Sequence, residues 1–495
     1  MKKRLMFSKL QDFIDNNNEY RVALISGMRR TGKTTILNQL ENHYSETKKV
    51  VSLDISQGDV SADTISQAII NQSPELLLLD EISYLDNFDM HAQNLFDLSY
   101  QYNFKIVMSG SSTAHINLLN KLKLGSRSLL FRLPPLTFVE YLFFTDRILS
   151  YDDYQSVTSK DFADYLLLKD FNSGLAISFD REYFQNWYDE ESASNDKGYH
   201  RDQHISLKES DLTDVANLIA YRLNEASSYY KTFNPEIGSQ EKYTLMSQGF
   251  DINLSSLDLT TTLISQSNSQ IKAIASRGRA RVLLFLLQAG LACIESQFDG
   301  IDSEEWDYGK VVSLLSKVDN YDDLAYIFSN VSISLVTPLV YTCLDEDILS
   351  HFNVEREHLC YGDLLGKMLE VYIRGGLAFK RVGSVLSVTK LRNEAIGEVD
   401  IYVPEFSIMC EASIRNKKMS QLSLNKYFKE NLLIRVCTSR DNDKLAGGVH
   451  FIPYAKFCCM VDTGDVFKLE KYRVDSVSDI PDYETEVVIS TDPYK

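Results

Sequence analysis

Apolar runs and amphipathic segments alternate along residues 1–143 of the chain. The runs, which are typical of short buried strands, are Val22–Ile25, Val50–Asp54, Leu76–Leu79 and Lys105–Met108. The stretch Leu124–Leu133 predicts a basic turn that leads into another strand. The amphipathic segments predict helices, which are residues 1–20, Thr35–Leu40, Ser61–Ile70 and Phe88–Tyr100. Because strands that alternate with helices form parallel sheets with right-handed crossovers, the pattern predicts a parallel α/β domain over residues 1–143.

The pattern changes after this domain. Residues 144–358 predict a mainly helical region, in which 300–358 is an acidic helical connector. Residues 359–471 predict a C-terminal α/β domain with a mixed sheet, since a helix over Leu364–Leu377 is followed by several strand-like runs. Residues 472–495 are acidic and predict a peripheral tail.

Composition narrows the class of protein. A chain of 495 residues is too long for one core, so about two to four domains are expected. The 51 basic and 69 acidic side chains give a net charge of −18, which argues against binding nucleic acid over the whole surface but not against a local basic patch. The seven cysteines show no C-x-x-C spacing, and no apolar run is long enough to span a membrane. We therefore expect a cytoplasmic protein that does not insert into a membrane.

The sequence Gly-Met-Arg-Arg-Thr-Gly-Lys-Thr at Gly27–Thr34 has the spacing of a P-loop. Its glycines allow the backbone to approach a phosphate closely, and the following helix points its positive end at the same place. Lys33 would reach the β- and γ-phosphates, and the Thr34 hydroxyl would ligate Mg²⁺. The predicted nucleotide contacts are Gly27, Arg29, Arg30, Thr31, Gly32, Lys33, Thr34 and Thr35.

A second motif, Leu-Leu-Leu-Leu-Asp-Glu at Leu76–Glu81, places two carboxylates at the end of a buried strand. Ligands of open α/β sheets bind at the carboxyl ends of strands, so we expect Asp80 to hold hydrated Mg²⁺ and Glu81 to polarise the attacking water. Alone, the pair would be better explained as a solvated acidic turn, but next to a P-loop it indicates ATP hydrolysis. Ser111, after the next strand, is either a sensor of the γ-phosphate or a helix N-cap.

These motifs resemble those of a large prokaryotic group of AAA+-like ATPases. The likeness includes Gly-x-Arg-Arg-x-Gly-Lys-Thr-Thr at Gly27–Thr35, Ser-Gly-Ser-Ser at Ser109–Ser112 and Pro-Leu-Thr-Phe-x-Glu-Tyr-Leu at Pro135–Leu142. It implies ATP and Mg²⁺ as cofactors, a winged-helix-like middle region and a C-terminal domain of the PD-(D/E)XK nuclease type. Chains of this build are also similar to prokaryotic defence and mobile-element proteins, which makes phage defence one expectation.

The resemblance gives Arg127 a candidate catalytic role. It matches a Gly-Arg position of the family, although a serine intervenes here between Gly125 and Arg127. Arg127 is therefore either an arginine finger, acting within its own chain or on a neighbouring subunit, or a surface arginine. A homo-oligomer is one of the partners that the resemblance allows.

A cluster of arginines in the middle region is a candidate DNA contact. Arg277, Arg279 and Arg281 precede the apolar stretch Val282–Ala289, which is followed by a glycine and a strand. This arrangement resembles the recognition helix and wing of a winged-helix unit, in which the arginines would contact DNA phosphates. The alternative is a core helix with solvated arginines, which the acidic surroundings favour.

Three C-terminal carboxylates, Glu370, Asp400 and Glu411, occur in the order of a PD-(D/E)XK core, and the resemblance implies that they hold Mg²⁺. The position that the family fills with lysine is Ser413 in this chain. That difference favours a domain retained for folding or partner binding over an active nuclease.

The favoured function is an ATP-binding and ATP-hydrolysing AAA+-like protein that couples its nucleotide state to a DNA or protein partner. An ATP-gated, metal-dependent DNA nuclease is one alternative. A binding switch that holds ATP without hydrolysing it is the other.

Overall fold

A five-stranded parallel sheet forms the amino-terminal part of the computed structural model. Its strands are β1 (Val22–Ser26), β2 (Val50–Asp54), β3 (Leu76–Asp80), β4 (Lys105–Gly110) and β5 (Ser128–Arg132). They lie in the order β2-β3-β4-β1-β5, and every pairing is parallel. Strands β1, β3 and β4 are buried along their whole length, which explains why their sequences are continuous rather than alternating apolar runs. The predicted parallel α/β domain is confirmed.

The structure describes part of the chain. The described residues are 2–17, 19–27, 31–57, 60–82, 85, 88–110, 127–168, 280, 287, 292–298, 308–319, 322–323, 326–327, 331–339, 360, 362–380, 388–393, 397–412, 431–437 and 444–472. The predicted site residues that lie outside these ranges are Arg29, Arg30, Ser111, Arg277, Arg279, Arg281 and Ser413.

Helices cover both faces of the first sheet. In chain order they are α1 (Leu5–Asn16), α2 (Lys33–Tyr44), α3 (Ala62–Gln72) and α4 (Phe88–Gln101). Helices α1 and α2 share one core with Ala23 and Ile25 of β1, whereas α3 and α4 share the other core with Val22 and Leu24. Successive strand residues point to opposite faces, so β1 contributes to both helical layers, as β3 does through Leu77 and Leu78.

An eight-stranded mixed sheet forms the C-terminal part. Its strands are β6 (Ala292–Phe298), β7 (Val331–Leu335), β8 (Thr389–Asn393), β9 (Gly397–Val403), β10 (Ile408–Ala412), β11 (Leu432–Cys437), β12 (Lys444–Ala446) and β13 (Val449–Pro453). The order is β12-β13-β11-β10-β9-β8-β6-β7. The pairs β8–β9 and β9–β10 are antiparallel, whereas β10–β11 and β11–β13 are parallel.

Strand β7 corrects one expectation, because it lies within residues 300–358, which were predicted to form a helical connector. Strand β6 contains part of the strand predicted after the apolar stretch Val282–Ala289, but it pairs with β8 and joins β7 to the C-terminal sheet. The sequence Val-Ser-Ile-Ser-Leu of β7 alternates with a period of two, which is a strand signal inside the predicted helical connector. The remaining domain boundaries stay predictions.

Five helices of the described residues follow the first sheet in the chain. They are α5 (Phe138–Phe144), α6 (Ser159–Leu166), α7 (Tyr308–Leu315), α8 (Gly362–Ala378) and α9 (Tyr454–Thr463). Four of them, α5, α6, α8 and α9, join the two sheets, and we call them the junction helices. Their aromatic rings share one core: Phe162 of α6 meets Phe138 of α5, Tyr372 of α8 and Tyr454 of α9 at centroid distances of 5.1, 5.6 and 5.6 Å. No helix in the described parts of the chain combines the length and apolar character needed to cross a membrane.

Candidate nucleotide site

The P-loop leaves the carboxyl end of β1 and enters α2. Lys33, the first residue of α2, is buried, and its Nζ donates a hydrogen bond to the carbonyl oxygen of Gly27 at 3.0 Å. Gly32 has a φ of 90°, in the left-handed region that favours glycine. The Lys33 side chain therefore reaches from the start of α2 back to Gly27 at the start of the loop. Its ammonium group lies at the carboxyl edge of the sheet.

Gly27 is required for a different reason. A Cβ at this position would lie 2.7 Å from the carbonyl oxygen of Leu133, which follows β5. The amide of Leu133 also donates to the carbonyl of Ser26 at 2.7 Å. The start of the P-loop is therefore packed directly against the end of β5, where no side chain fits.

Asp80 lies at the tip of β3 and is held by two neighbours. The hydroxyl of Ser109 on β4 donates a hydrogen bond to Oδ1 of Asp80, and the backbone amide of Glu81 donates to the same oxygen at 3.1 Å. Strand β4 lies between β3 and β1, and Ser109 pairs with Ile25 of β1. Ser109 therefore stands between the P-loop strand and the Asp80 carboxylate. Sequence reasoning singled out Ser111 and missed Ser109, although Ser109 is the first polar residue at the end of the β4 run.

Glu81 has an unusual backbone conformation. Its φ is 52°, in the left-handed region that non-glycine residues seldom adopt. The turn brings the Glu81 amide onto the Asp80 carboxylate and leaves the Glu81 side chain half-buried. Such conformations persist where the surrounding structure holds them and are common at functional sites.

The residues at this edge of the sheet have the chemistry needed to bind Mg²⁺ and a nucleoside triphosphate. Magnesium prefers oxygen ligands, which the exposed Thr34 hydroxyl and the Asp80 carboxylate offer. Both hydrogen bonds that the described residues make to Asp80 end on Oδ1, which leaves Oδ2 for a metal-bound water. Lys33 supplies a positive charge at the amino terminus of α2, where the helix dipole also favours an anion.

The structure corrects the within-chain interpretation of Arg127. This residue precedes Ser128, which pairs with Val22 at the start of β1, whereas the P-loop follows the end of β1. Five residue rises, roughly 17 Å, separate the level of Ser128 from Gly27 at the start of the P-loop, which is further than an arginine side chain extends. The Arg127 guanidinium lies over the ring of Phe96 instead, 5.2 Å from its centroid. A contact with the nucleotide of a neighbouring subunit stays a prediction.

Arg132 is the basic residue of β5 at the edge of the sheet where the P-loop begins. It pairs with Ser26, the last residue of β1, and its guanidinium lies over the ring of Phe379 at 5.8 Å from the centroid. A cavity of about 130 Å³ opens here between the P-loop and the junction helices, and Lys9, Arg132 and Lys380 are among its lining residues. Sequence reasoning missed Arg132, although it is the only charged residue of the run Leu129–Leu133.

Among the described residues, the C-terminal carboxylates predicted to hold a metal form no group of three ligands. Asp400 of β9 and Glu411 of β10 lie on adjacent buried strands, but no three His, Cys, Asp or Glu side chains of the described residues group as metal ligands. Buried arginines lie beside both strands instead: Arg374 Nη2 donates to the Asp400 carbonyl at 3.1 Å, and Arg435 Nη1 lies 3.9 Å from Glu411 Oε1. Asp400 and Glu411 therefore belong to a buried cluster of mixed charge.

The parallel sheet, the P-loop after β1 and the carboxylate after β3 define the amino-terminal unit as a P-loop α/β domain. Residues 19–142 match the sequence profile of a family described as an AAA domain, AAA_14. The matched residues contain all five strands of the first sheet and none of the second. An AAA domain at the amino terminus is therefore shown, as the sequence motifs predicted.

Similar proteins cover parts of the chain. The uncharacterized protein MJ1637 of Methanocaldococcus jannaschii is 31% identical over 164 residues, which are 30% of this chain and 33% of that protein. The chain thus spans about a third of the length of this curated relative. AMPPCP-bound DnaA from Aquifex aeolicus is 16% identical, with a TM-score of 0.25 over 53% of this chain and 92% of that chain. Cdc6p from Pyrobaculum aerophilum is 16% identical, with a TM-score of 0.25 over 65% and 96%.

Proposed function

We propose that the chain is an ATP-hydrolysing AAA+-like protein that couples its nucleotide state to a DNA or protein partner. The observation that carries this proposal is the common position of Lys33, Asp80 and Glu81 at one edge of a parallel sheet, with the Ser109 hydroxyl bonded to Asp80. Ligands of such sheets bind at this edge. The match of residues 19–142 to an AAA domain supports the same conclusion.

Each residue has a defined role in this proposal. Lys33 binds the β- and γ-phosphates, while Thr34 and Asp80 hold the hydrated ion. A bound Mg²⁺ supplies charge neutralisation for the phosphates when it is present. Glu81 orients and polarises the attacking water, and the Ser109 hydroxyl keeps the Asp80 carboxylate in one orientation.

For the C-terminal sheet we propose a PD-(D/E)XK-like fold that binds a partner or supports the ATPase rather than cutting DNA. The mixed strand directions after α8 support the fold. The arginines beside Asp400 and Glu411, and Ser413 in place of a lysine, support the absence of cleavage. A DNA contact through Arg277, Arg279 and Arg281 and a role in phage defence stay predictions from the sequence.

Phosphate release from ATP tests the proposal. It is measured with Mg²⁺, with and without duplex and single-stranded DNA, for the wild type, Lys33→Ala and Glu81→Gln. Glu46→Gln is the matched control, because this exposed carboxylate follows the end of α2 that lies away from the P-loop. We expect loss of nucleotide binding in Lys33→Ala, retention of ATP without turnover in Glu81→Gln, and wild-type rates in Glu46→Gln.

The outcomes distinguish the candidate functions. A rate that DNA raises several-fold identifies DNA as the partner, and a rate indifferent to DNA favours a protein partner. Tight ATP binding without turnover in the wild type would replace the hydrolase with a non-hydrolysing switch. Wild-type turnover in Glu81→Gln would contradict the role of Glu81.

A further inference from the structure

A buried ion pair joins the start of the chain to helix α5. Arg4 and Glu140 are 6% and 2% exposed, and Arg4 donates from Nε to Oε1 at 3.1 Å and from Nη2 to Oε2 at 2.5 Å. This two-point contact fixes the relative orientation of both side chains. Burial alone would raise the pKa of Glu140, but Arg4 and the backbone amides of Thr137 and Leu5 hold it below its usual value.

The same arginine is bonded to the P-loop. Nη1 of Arg4 donates to the carbonyl oxygen of Thr31 at 2.7 Å and to that of Pro134 at 3.0 Å, and Nη2 donates to that of Pro135 at 3.2 Å. Thr31 lies in the middle of the P-loop, and the two prolines lead from β5 into α5. One guanidinium therefore connects the phosphate-binding loop to the segment that precedes α5.

The amino end of α5 is in turn bonded to the C-terminal part of the chain. The first amides of a helix have no partner within the helix. Here the amide of Phe138 donates to the Tyr372 hydroxyl at 2.7 Å, and the amide of Val139 donates to Oδ2 of Asp462 at 2.9 Å. The Tyr372 hydroxyl donates to Asp462 at 2.7 Å, which links α8 to α9 at the same point.

We propose that Arg4 and Glu140 are positioning residues that couple occupancy of the P-loop to the docking of α8 and α9 on helix α5. This inference rests on the proposed function, because it needs a nucleotide in the P-loop. Glu140 lies two residues or fewer from both docked amides, and its carboxylate also accepts from the Thr137 amide at 3.1 Å. A backbone shift at Thr31 is thus passed through Arg4 to the turn of α5 that holds Tyr372 and Asp462.

A second ion pair between the same segments provides the comparison. Lys2 and Asp146 also join the start of the chain to the end of α5, but their side chains are 31% and 83% exposed and neither is bonded to the P-loop. Exposed pairs contribute little to stability and do not fix geometry. Asp146→Asn therefore removes an ion pair between the two segments while it leaves the Arg4–Glu140 bridge in place.

Hydrogen exchange of the Phe138 and Val139 amides tests the coupling directly, since these are the docked groups. Exchange of the full chain is followed with and without Mg²⁺ and saturating AMPPCP, an ATP analogue. We expect the analogue to slow exchange in the peptide that contains these amides, in the wild type and in Asp146→Asn. The slowing should disappear in Glu140→Gln although the analogue still binds. Slowing that persists in saturated Glu140→Gln would overturn the coupling.

Reciprocity gives a second test that does not alter the bridge. If the analogue strengthens docking by a given factor, docking must strengthen the affinity for the analogue by the same factor, so a chain that docks less fully binds the analogue more weakly. We expect Tyr372→Phe to lower that affinity about fivefold or more. Tyr454→Phe is the control, because this junction tyrosine bonds to Ser159 of α6 rather than to α5. Equal affinities for Tyr372→Phe and Tyr454→Phe would overturn the coupling, whereas a wild type that binds no analogue would overturn the proposed function as well.

Discussion

Ser109 and Asp80 are joined by a hydrogen bond across adjacent strands, with the serine hydroxyl as the donor. Both side chains are buried, so water does not compete for this contact. The bond ends on Oδ1, the oxygen that also accepts the Glu81 amide, and it fixes the direction in which Oδ2 points. Residues that orient a metal-binding carboxylate are known to affect the metal site strongly.

Ser109→Ala should lower the rate of ATP hydrolysis. Without its donor, the Asp80 carboxylate loses its fixed orientation, and the loss expected for such an orienting partner is about 10- to 100-fold. The affinity for the nucleotide should change much less, because Lys33 and the loop amides still bind the phosphates. Single-turnover rates and equilibrium binding with Mg²⁺ measure the two effects separately. Ser66→Ala on α3 is the control, since its hydroxyl bonds only to the Ala62 carbonyl of its own helix.

The position of most candidate nucleotide-site residues in the fold was predictable because their motifs are local. Gly27–Thr34 and Leu76–Glu81 are each contiguous, and the buried parallel strands before them leave a continuous apolar signal. Which strands are neighbours depends on contacts that are distant in the chain. The insertion of β4 between β1 and β3 makes Ser109 the partner of Asp80, and no sequence spacing shows this order.

Arg4 was missed for the same reason. Its partners Thr31 and Glu140 are 27 and 136 positions away, and a single arginine in a basic amino-terminal tripeptide has no pattern that would distinguish it. Strand β6 was likewise assigned to a winged-helix-like region, because its pairing with β8 spans a long stretch of chain. Local periodicity predicts elements, whereas the sheet that an element joins is fixed by tertiary packing.

Adjacent glycines on α8 should respond differently to alanine. A Cβ on Gly375 would lie 1.9 Å from the Val336 carbonyl oxygen, whereas a Cβ on Gly376 would meet only the Val461 Cγ1 methyl, at 2.6 Å. Gly375→Ala should destabilise the protein by roughly 1–3 kcal/mol or more, because the backbone after β7 must move. Gly376→Ala should cost less, since a side-chain methyl rather than the backbone must shift and alanine favours the helix by about 1 kcal/mol. Denaturant unfolding of both variants checks this, and equal losses would contradict it.

Arg4→Ala should destabilise the protein far more than Lys2→Ala. Removing Arg4 leaves the Glu140 carboxylate buried without its cation, and breaking a buried pair in this way costs about 3–5 kcal/mol. Removing Lys2 breaks a pair whose Asp146 is mostly exposed, which should cost about 1 kcal/mol or less. Thermal and denaturant unfolding without nucleotide measure both. Equal losses of stability in the two variants would show that the buried Arg4–Glu140 pair stabilises the protein no more than the exposed Lys2–Asp146 pair.

The stability of the junction helices should depend on pH through Asp462. Burial raises the pKa of this carboxyl to about 7, although the Val139 amide, the Tyr372 hydroxyl and Lys380, which follows α8, oppose the shift. Glu140 of α5, Tyr165 of α6, and Cys458 and Cys459 of α9 also interact with it electrostatically. Burial lowers the pKa of Lys380 to about 8, so this lysine stays mainly protonated while Asp462 titrates.

The sign follows from proton binding. The folded chain holds the Asp462 proton more tightly than the unfolded chain does, whose carboxyl has the ordinary pKa of 3.8. The protonated Asp462 carboxyl therefore contributes fully to the free energy of unfolding below about pH 4. This contribution is lost as the pH rises through about 7, by at most about 1.4 kcal/mol per pH unit. The asparagine of Asp462→Asn cannot ionise, so the free energy of unfolding of this variant does not fall with Asp462 ionisation. Its value should therefore rise relative to that of the wild type between pH 5 and pH 7. Asp465→Asn is the control, because the pKa of Asp465 is lowered to about 2 and it stays ionised over this range. Parallel pH profiles for the wild type and Asp462→Asn would show that Asp462 is already ionised at pH 5.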